Sequence, residues 1–126
     1  MLSMSGEDAA MVYSGQRRSL FLKRCWEDID AVVFIYDRSA SLVTGVFSGS
    51  TPVYDYPSAL YRQFGEISAM TENELLNRFS CSGKIYSLIC SRFFQFSKGI
   101  SIDYFGLDVE PSYFTYLDDS TRTSGF

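Results

Sequence analysis

The stretch that decides the fold is Ala31–Asp37, with the sequence AVVFIYD. Its residues are β-branched, aromatic and almost all apolar, which is typical of a strand covered on both faces. Working outward, residues 42–47 (LVTGVF) predict a second strand, in which Gly45 marks a bulge or a close approach of the backbone. On the N-terminal side, residues 19–26 (SLFLKRCW) also have the composition of a strand.

The spacing of apolar residues becomes helical beyond residue 56. Pro57 can open a short helix whose apolar positions include Leu60. Thr71 and Glu74 have the spacing of a capping box, in which the Thr71 hydroxyl accepts the Glu74 amide proton and the Glu74 side chain reaches back. We therefore expect two short helices between residues 57 and 80.

Strand chemistry returns after Gly83. The sequence predicts a long strand over residues 84–96, a three-residue hairpin loop at 97–99, a half-exposed strand over 100–105 and a last strand over 112–117. Because helices and strands do not alternate regularly, we expect an α+β or mainly β fold, an antiparallel sheet or partial jelly roll. A single globular domain over residues 17–118 follows a flexible N-terminal arm (1–16) and precedes a polar tail (119–126).

The composition excludes several classes of enzyme. The chain has 126 residues and no histidine, which rules out Ser-His-Asp and Cys-His catalysis and any zinc site with a histidine ligand. Its cysteines, at positions 25, 81 and 90, form no CxxC pair, so we expect buried reduced thiols. We expect no metal, no cofactor and no enzymatic activity, although an enzyme that uses carboxylates alone stays open as a third reading.

The sequence also predicts the setting of the protein. Glu7 and Asp8 stand where a secretory leader is basic and then apolar. The longest apolar run, from Ala31 to Tyr36, is far shorter than the roughly 20 residues of a membrane span. We expect a soluble, intracellular protein of the cytoplasm or nucleus.

Acidic and aromatic residues are concentrated near the C-terminus. The net charge is −4, and from Gly99 onward five carboxylates are set against Arg122 alone. A strand alternates its faces, so the aromatic residues of this region cannot all point into one core. Exposed tyrosines among carboxylates predict a protein-binding face, although a second layer or a dimer mate could cover them instead. The candidate partner-binding residues are Tyr104, Phe105, Asp108, Glu110, Tyr113, Phe114, Tyr116, Asp118 and Asp119.

Basic residues are concentrated in the first third of the chain, where aromatic residues are interleaved with them. Such a pattern suits single-stranded nucleic acid if both kinds of residue share one face. The pI of about 4.7 is unlike that of a general nucleic-acid binder, so contact with phosphates requires a local basic patch. The candidate residues for this less favoured partner are Arg17, Arg18, Lys23, Arg24 and Arg38.

Several short motifs over residues 31–96 follow one another in a familiar order. They are VFIYDR at 33–38, Thr51 with Pro52, ENELLNRF at 72–79, Lys84, and the run from Arg92 to Phe94. This order resembles the jelly-roll core of geminivirus coat and nuclear-shuttle proteins, and plant-virus movement proteins are similar in outline. Those proteins carry a strongly basic arm that this chain lacks, so the resemblance implies an accessory role rather than DNA packaging.

Together these observations predict a non-enzymatic binding protein, a plant-virus accessory protein that acts in movement, host-factor binding or suppression of host defence through protein contacts. A homo-oligomer is compatible with that reading. The alternative is a small acidic inhibitor or immunity protein, whose C-terminal carboxylates cover the basic site of a toxin or nuclease.

Overall fold

The strand predicted at Ala31–Asp37 is confirmed, and it lies inside a six-stranded sheet. The computed structural model describes residues 1–80 and 82–117. Short 3₁₀ turns at Gly65–Ile67 and Ile102–Phe105 complete the elements. In chain order the elements are β1 (Leu2–Met4), α1 (Gly6–Tyr13), β2 (Ser19–Leu22), β3 (Ala31–Asp37), β4 (Leu42–Gly49), β5 (Val53–Asp55), α2 (Pro57–Phe64), α3 (Glu72–Arg78) and β6 (Ile85–Ile100).

The strands lie in the order β1-β3-β4-β6-β2, and β5 also pairs with β6. Only β1 and β3 are parallel, whereas the other pairs are antiparallel. The first half of β6 lies between β2 and β5, and its second half pairs with β4. The result is a mixed α+β fold with a curled half-barrel sheet and three short helices, which confirms the predicted α+β class.

A bulge in β6 explains the curl. Ser91 pairs with Ser48 and Phe94 with Val46, so two residues of β6 stand opposite Phe47 alone. One of them, Arg92, has a φ of 51°, in the left-handed region. An extra residue of this kind bends its strand and increases the local twist. The bend turns the two halves of β6 toward different neighbours.

Three clusters of buried residues fill the space around the sheet. The largest joins β1, α1 and the sheet through Val12, Ile35 and Leu88, all of them fully buried. A second cluster, which includes Leu60 and Leu75, lies under α2 and α3. A third cluster surrounds Tyr36, near the end of β3, and Val43, near the start of β4. Partly buried residues of the C-terminal segment pack against it.

The locally specified features were predicted correctly. Pro57 opens α2, and Thr71 and Glu74 form the expected capping box at the start of α3. Gly45 lies at a register shift between β4 and β6. A Cβ atom there would lie 2.6 Å from the Phe94 carbonyl oxygen, so only glycine permits this approach of the two backbones.

The prediction of a loose arm over residues 1–16 is wrong. Leu2 and Met4 are buried in β1, and α1 begins with the Ser5 side chain accepting a hydrogen bond from the Asp8 amide. The sequence signal was weak because β1 has only three residues and α1 buries only Ala9 and Val12.

The predictions for the C-terminal third need three corrections. Residues 97–99 form no hairpin loop, because β6 continues to Ile100, which pairs with Val43. Residues 102–105 form a 3₁₀ turn instead of a strand, and residues 112–117 contribute only one bridge, between Phe114 and Leu2. Gly99 lies closely against Leu42, so the role of this glycine is close packing rather than a turn. The predicted tail from residue 119 lies outside the described residues.

None of the helices in the described part of the chain has the length and apolar character needed to cross a membrane.

The buried position of β1 gives a direct test of the fold. We expect Leu2→Ala to lower the free energy of unfolding by about 2–4 kcal/mol, because the truncation leaves a cavity beside β3. The matched variant is Leu76→Ala on α3, where the leucine side chain is 39% exposed and the loss should stay below about 1 kcal/mol. Urea denaturation followed by circular dichroism measures both. Equal losses for the two variants would show that residues 1–4 are an arm after all.

Candidate functional site

A cleft lies between β1 and β2, the two ends of the strand order. It consists of two adjoining hollows of about 240 Å³ and about 300 Å³, and both are lined by Leu2, Ser3, Lys23, Arg38 and Tyr113. The curled sheet brings β1 and β2 to face each other without pairing. The cleft is therefore the open seam of the half-barrel.

The walls of this cleft are strongly basic. Lys23, Arg24, Arg38 and Arg78 line it, whereas Asp8 is the only acidic residue in its lining within the described part of the chain. The one ion pair recorded among the described residues joins Asp8 to Arg17, so no carboxylate lies within ion-pair distance of the other four. Arg38 holds its position by donating from Nη1 to Ser3 Oγ at 3.2 Å.

An aromatic side chain lies among these cations. The Arg24 guanidinium carbon lies 5.0 Å from the centre of the Tyr113 ring, a cation–π contact. Tyr113 is 46% exposed, and its backbone carbonyl accepts a hydrogen bond from the Ser3 amide at 2.8 Å. The segment that carries Tyr113 is thus fixed along the outer edge of β1.

Arg17 is buried, whereas the other residues predicted to contact nucleic acid are exposed. It donates from Nε to the Ser68 carbonyl at 2.7 Å and from Nη1 to Asp8 Oδ1 at 2.6 Å. A third bond, from Nη2 to the Ala69 carbonyl at 3.3 Å, ties it to the turn after α2. Arg17 therefore supports one wall of the cleft. Arg18, its neighbour, is exposed but does not line the cleft.

Sequence reasoning missed two contributors to the cleft. Arg78 lies in the last turn of α3, between the buried positions Leu75 and Phe79, and only the packing of α3 brings it near Lys23. Tyr113 was assigned to the acidic face instead. No local pattern could have found either, because β1, β2, α3 and residue 113 meet only through the curl of the sheet.

The predicted partner-binding residues lie in different environments, some exposed and some packed against other side chains. Tyr104 and Tyr116 are 83% and 68% exposed, and Asp108 is exposed too. Phe105 packs against Phe34 with ring centres 4.9 Å apart, and Phe114 packs edge-on against Trp26 at 5.6 Å. Asp118 and Asp119 lie outside the described residues.

Glu110 is exposed, and its carboxylate contacts a buried tyrosine. Its Oε2 accepts a hydrogen bond of 2.6 Å from the hydroxyl of the buried Tyr36, and this bond raises the pKa of the Tyr36 phenol. The prediction of one continuous acidic face for a protein partner stays a prediction.

A second concave surface, which we call the apolar hollow, has a volume of about 480 Å³. Its deepest residues, Trp26 and Val33, are 5% and 1% exposed, and its rim includes Val32, Tyr104 and Tyr116. None of the described side chains that line it is that of an aspartate, glutamate, lysine or arginine. The Nε1 atom of Trp26 is buried and has no hydrogen-bond partner among residues 1–80 and 82–117.

The thiols of Cys25 and Cys90 are free and buried, as predicted, whereas Cys81 lies outside the described residues. Burial raises the pKa of each of these two thiols to about 12, so neither is a nucleophile at neutral pH. Within residues 1–80 and 82–117, no group of three or more cysteine, aspartate or glutamate side chains is placed to hold a metal ion.

Comparison with known proteins gives a match in structure only. The ASCH protein of Zymomonas mobilis matches with a TM-score of 0.82 at 19% identity, over 97% of this chain and 89% of that one. Two of its mutant forms match with TM-scores of 0.81 and 0.80 at 17% identity, over 98% of this chain and 94% and 92% of theirs. No protein-family model and no curated protein sequence matches the chain. At these identities the likeness shows a shared fold.

The resemblance to geminivirus coat and shuttle proteins and to plant-virus movement proteins is therefore wrong. The structures that match over almost the whole chain are those of a bacterial ASCH protein. The predicted plant-virus accessory role loses the resemblance that supported it and stays a prediction.

The position of Arg17 gives a test that uses its neighbour as the control. We expect Arg17→Met to lower the free energy of unfolding by about 2–3 kcal/mol, because it leaves Asp8 and two carbonyls without their donor. Arg18→Met removes an exposed charge and should change stability by less than about 0.5 kcal/mol. Urea denaturation at pH 7 measures both. A stable Arg17→Met protein would mean that the buried guanidinium does not support the cleft wall.

Proposed function

We propose that the protein is a non-enzymatic binding protein whose cleft between β1 and β2 takes a single-stranded nucleic acid. The observation that carries this proposal is the lining of the cleft. Lys23, Arg24, Arg38 and Arg78 meet there, and none of them forms an ion pair with a carboxylate of residues 1–80 or 82–117. Asp8, the only acidic residue in the lining over those ranges, is held by Arg17.

The charge of the cleft contrasts with that of the whole chain. A net charge of −4 repels a polyanion at long range, so the four cations act as a local patch. A cleft with low-dielectric walls strengthens the potential of the charges that line it. Arg78 contributes least, because it lies near Glu74, whose pKa is lowered first by its bonds to Thr71 and also by Arg17 and Arg78. Lys23, Arg24 and Arg38 are then the main phosphate contacts.

Tyr113 supports a single strand over a duplex. A half-exposed aromatic ring beside guanidinium and ammonium groups offers a platform on which an unpaired base stacks. Base–aromatic stacking contributes about 1–3 kcal/mol per base and tolerates any sequence. Stacking on Tyr113 together with phosphate contacts to its cationic neighbours gives a binding mode that needs no catalytic group.

The setting proposed for this activity is the inside of a cell. The free thiols of Cys25 and Cys90 support it, since disulfides persist mainly in oxidising compartments. A second candidate function, contact with a protein partner or with a second copy of the chain, is supported by the exposure of Tyr104 and Tyr116. It differs from the first in leaving the cleft out of the interaction.

Fluorescence anisotropy of a labelled single-stranded oligonucleotide, titrated with the protein at several salt concentrations, tests the proposal. Three or four phosphate contacts predict a slope of log K against log salt of about −2 to −3. The double variant Lys23→Ala with Arg38→Ala should weaken binding by about tenfold or more and reduce the size of the slope by about 1.4, because two phosphate contacts are lost.

The matched control is Arg62→Ala with Lys98→Ala. It removes the same charge from exposed positions on α2 and β6 that do not line the cleft. Its affinity should stay close to that of the unchanged protein. An equal loss in both double variants would mean diffuse electrostatics, and no binding even at low salt would remove the nucleic-acid function and leave the protein-contact function.

A further inference from the structure

The apolar hollow is separate from the basic cleft. Tyr113 lines the cleft, whereas the next residue, Phe114, lines the hollow together with Tyr116. The bridge between Phe114 and Leu2 holds this segment in an extended course, in which successive side chains point in opposite directions. The segment therefore forms a partition, and a ligand in the hollow does not depend on what occupies the cleft.

The lining of the hollow has the character of a small-molecule site. Its volume of about 480 Å³ lies within the range of about 300–1,000 Å³ that is usual for ligand pockets. Rings form much of its wall and are already packed against one another, with Phe34 on Phe105 and Phe114 on Trp26. The pairs are tilted and edge-on, with interplanar angles of 57° and 75°, and they hold each ring in a fixed orientation. Fixed aromatic rings favour a planar aromatic ligand over a flexible chain.

The lack of charged side chains in the described lining favours a neutral ligand. The described residues that line the hollow include no acidic or basic side chain that could pair with an ion. The Met1 amino group donates to the Thr115 carbonyl at 2.7 Å, and burial lowers its pKa to about 6, so it is largely uncharged at neutral pH. Burying an unpaired charge in the hollow is therefore costly. At the rim of the hollow the Val32 side chain is 71% exposed, and covering this apolar surface lowers the free energy.

The unpaired indole N–H of Trp26 determines which polar group a ligand in the hollow should carry. Trp26 is only 5% exposed, and its Nε1–H has no hydrogen-bond partner in the described part of the chain. A buried N–H without an acceptor is unfavourable, and few native structures leave one. An acceptor carried into the hollow can pair with this N–H. Because Nε1 is covered by protein atoms, the indole must turn slightly toward the bound molecule.

We propose that the apolar hollow binds a neutral, planar aromatic molecule that carries a hydrogen-bond acceptor, such as an aromatic lactone or ketone, with the acceptor on Nε1 of Trp26. The fixed aromatic rings set the shape of this ligand, the absence of charged side chains among the described lining residues sets its neutrality, and the indole N–H sets its acceptor. The site makes no use of the cations in the cleft.

The single tryptophan makes the proposal directly measurable. In a ¹H–¹⁵N spectrum of the full-length protein, Trp26 gives the only indole cross-peak. Coumarin, which is neutral and planar and has a lactone carbonyl, is the probe. Naphthalene, of similar size without an acceptor, is the matched probe. We expect coumarin to move the indole proton downfield with saturation, and naphthalene to shift amides of Ala31–Asp37 without that downfield movement.

Substitution at the rim tests where the probe binds. Val32→Asp places a charge at the edge of the hollow, on an exposed position, and should weaken coumarin binding about tenfold, equivalent to about 1.4 kcal/mol. Phe94→Asp is its control, because Phe94 is 62% exposed on β6 and does not line the hollow. Oligonucleotide affinity in the cleft should be the same in both variants.

Three results would overturn the proposal. One is an indole proton shift that rises linearly with coumarin concentration without saturating, or that equals the shift seen with naphthalene. The second is an equal loss of coumarin affinity in Val32→Asp and Phe94→Asp. The third is coumarin binding that weakens as protein concentration and rotational correlation time rise together, because a second copy would then cover the hollow. None of these depends on whether the cleft binds nucleic acid.

Discussion

The pairing of β6 is the constraint on which the rest of the structure depends. This strand has sixteen residues and must satisfy backbone donors and acceptors against three neighbours, β2, β5 and β4. A flat strand of that length cannot pair with β4 along one half and lie between β2 and β5 along the other. The bulge at Arg92 resolves the conflict by bending the strand. As a consequence the sheet curls, and β1 and β2 face each other across an open seam.

The seam gives the protein a concave basic surface although its overall charge is negative. Arg38 follows β3, Lys23 and Arg24 follow β2, and Arg78 ends α3. The pair Lys23 and Arg24 is far in sequence from Arg38 and from Arg78, and only the curl brings these cations together. Sequence analysis could name four of the five cations that line the cleft, because basic residues in the first third are visible by composition. It could not separate the buried Arg17 from the exposed cations, since burial depends on Ser68 and Ala69 across the fold.

Features that depend on local chemistry were the ones predicted correctly. The capping box of Thr71, the proline that opens α2 and the apolar course of β3 each require only neighbouring residues. Features that depend on distant partners were missed. The three residues of β1 are recognisable only beside β3 and Phe114, and Ser97–Gly99 resembles a hairpin loop until β4 is placed against it.

The difference between local features and features that depend on distant partners also explains why the resemblance to viral jelly-roll proteins was wrong. Its best-defined motif ends in the pair Asp37 and Arg38, and both have structural roles here, Asp37 within its own turn and Arg38 against β1. Asp37 Oδ1 accepts from the amides of Ser39 and Ala40 at 2.8 Å and 3.3 Å, which caps the turn between β3 and β4. The Arg38 amide donates to the carbonyl of Met4, the last residue of β1, at 2.9 Å. A strand that ends in such a turn arises in unrelated sheets, so the motif reports turn chemistry rather than ancestry.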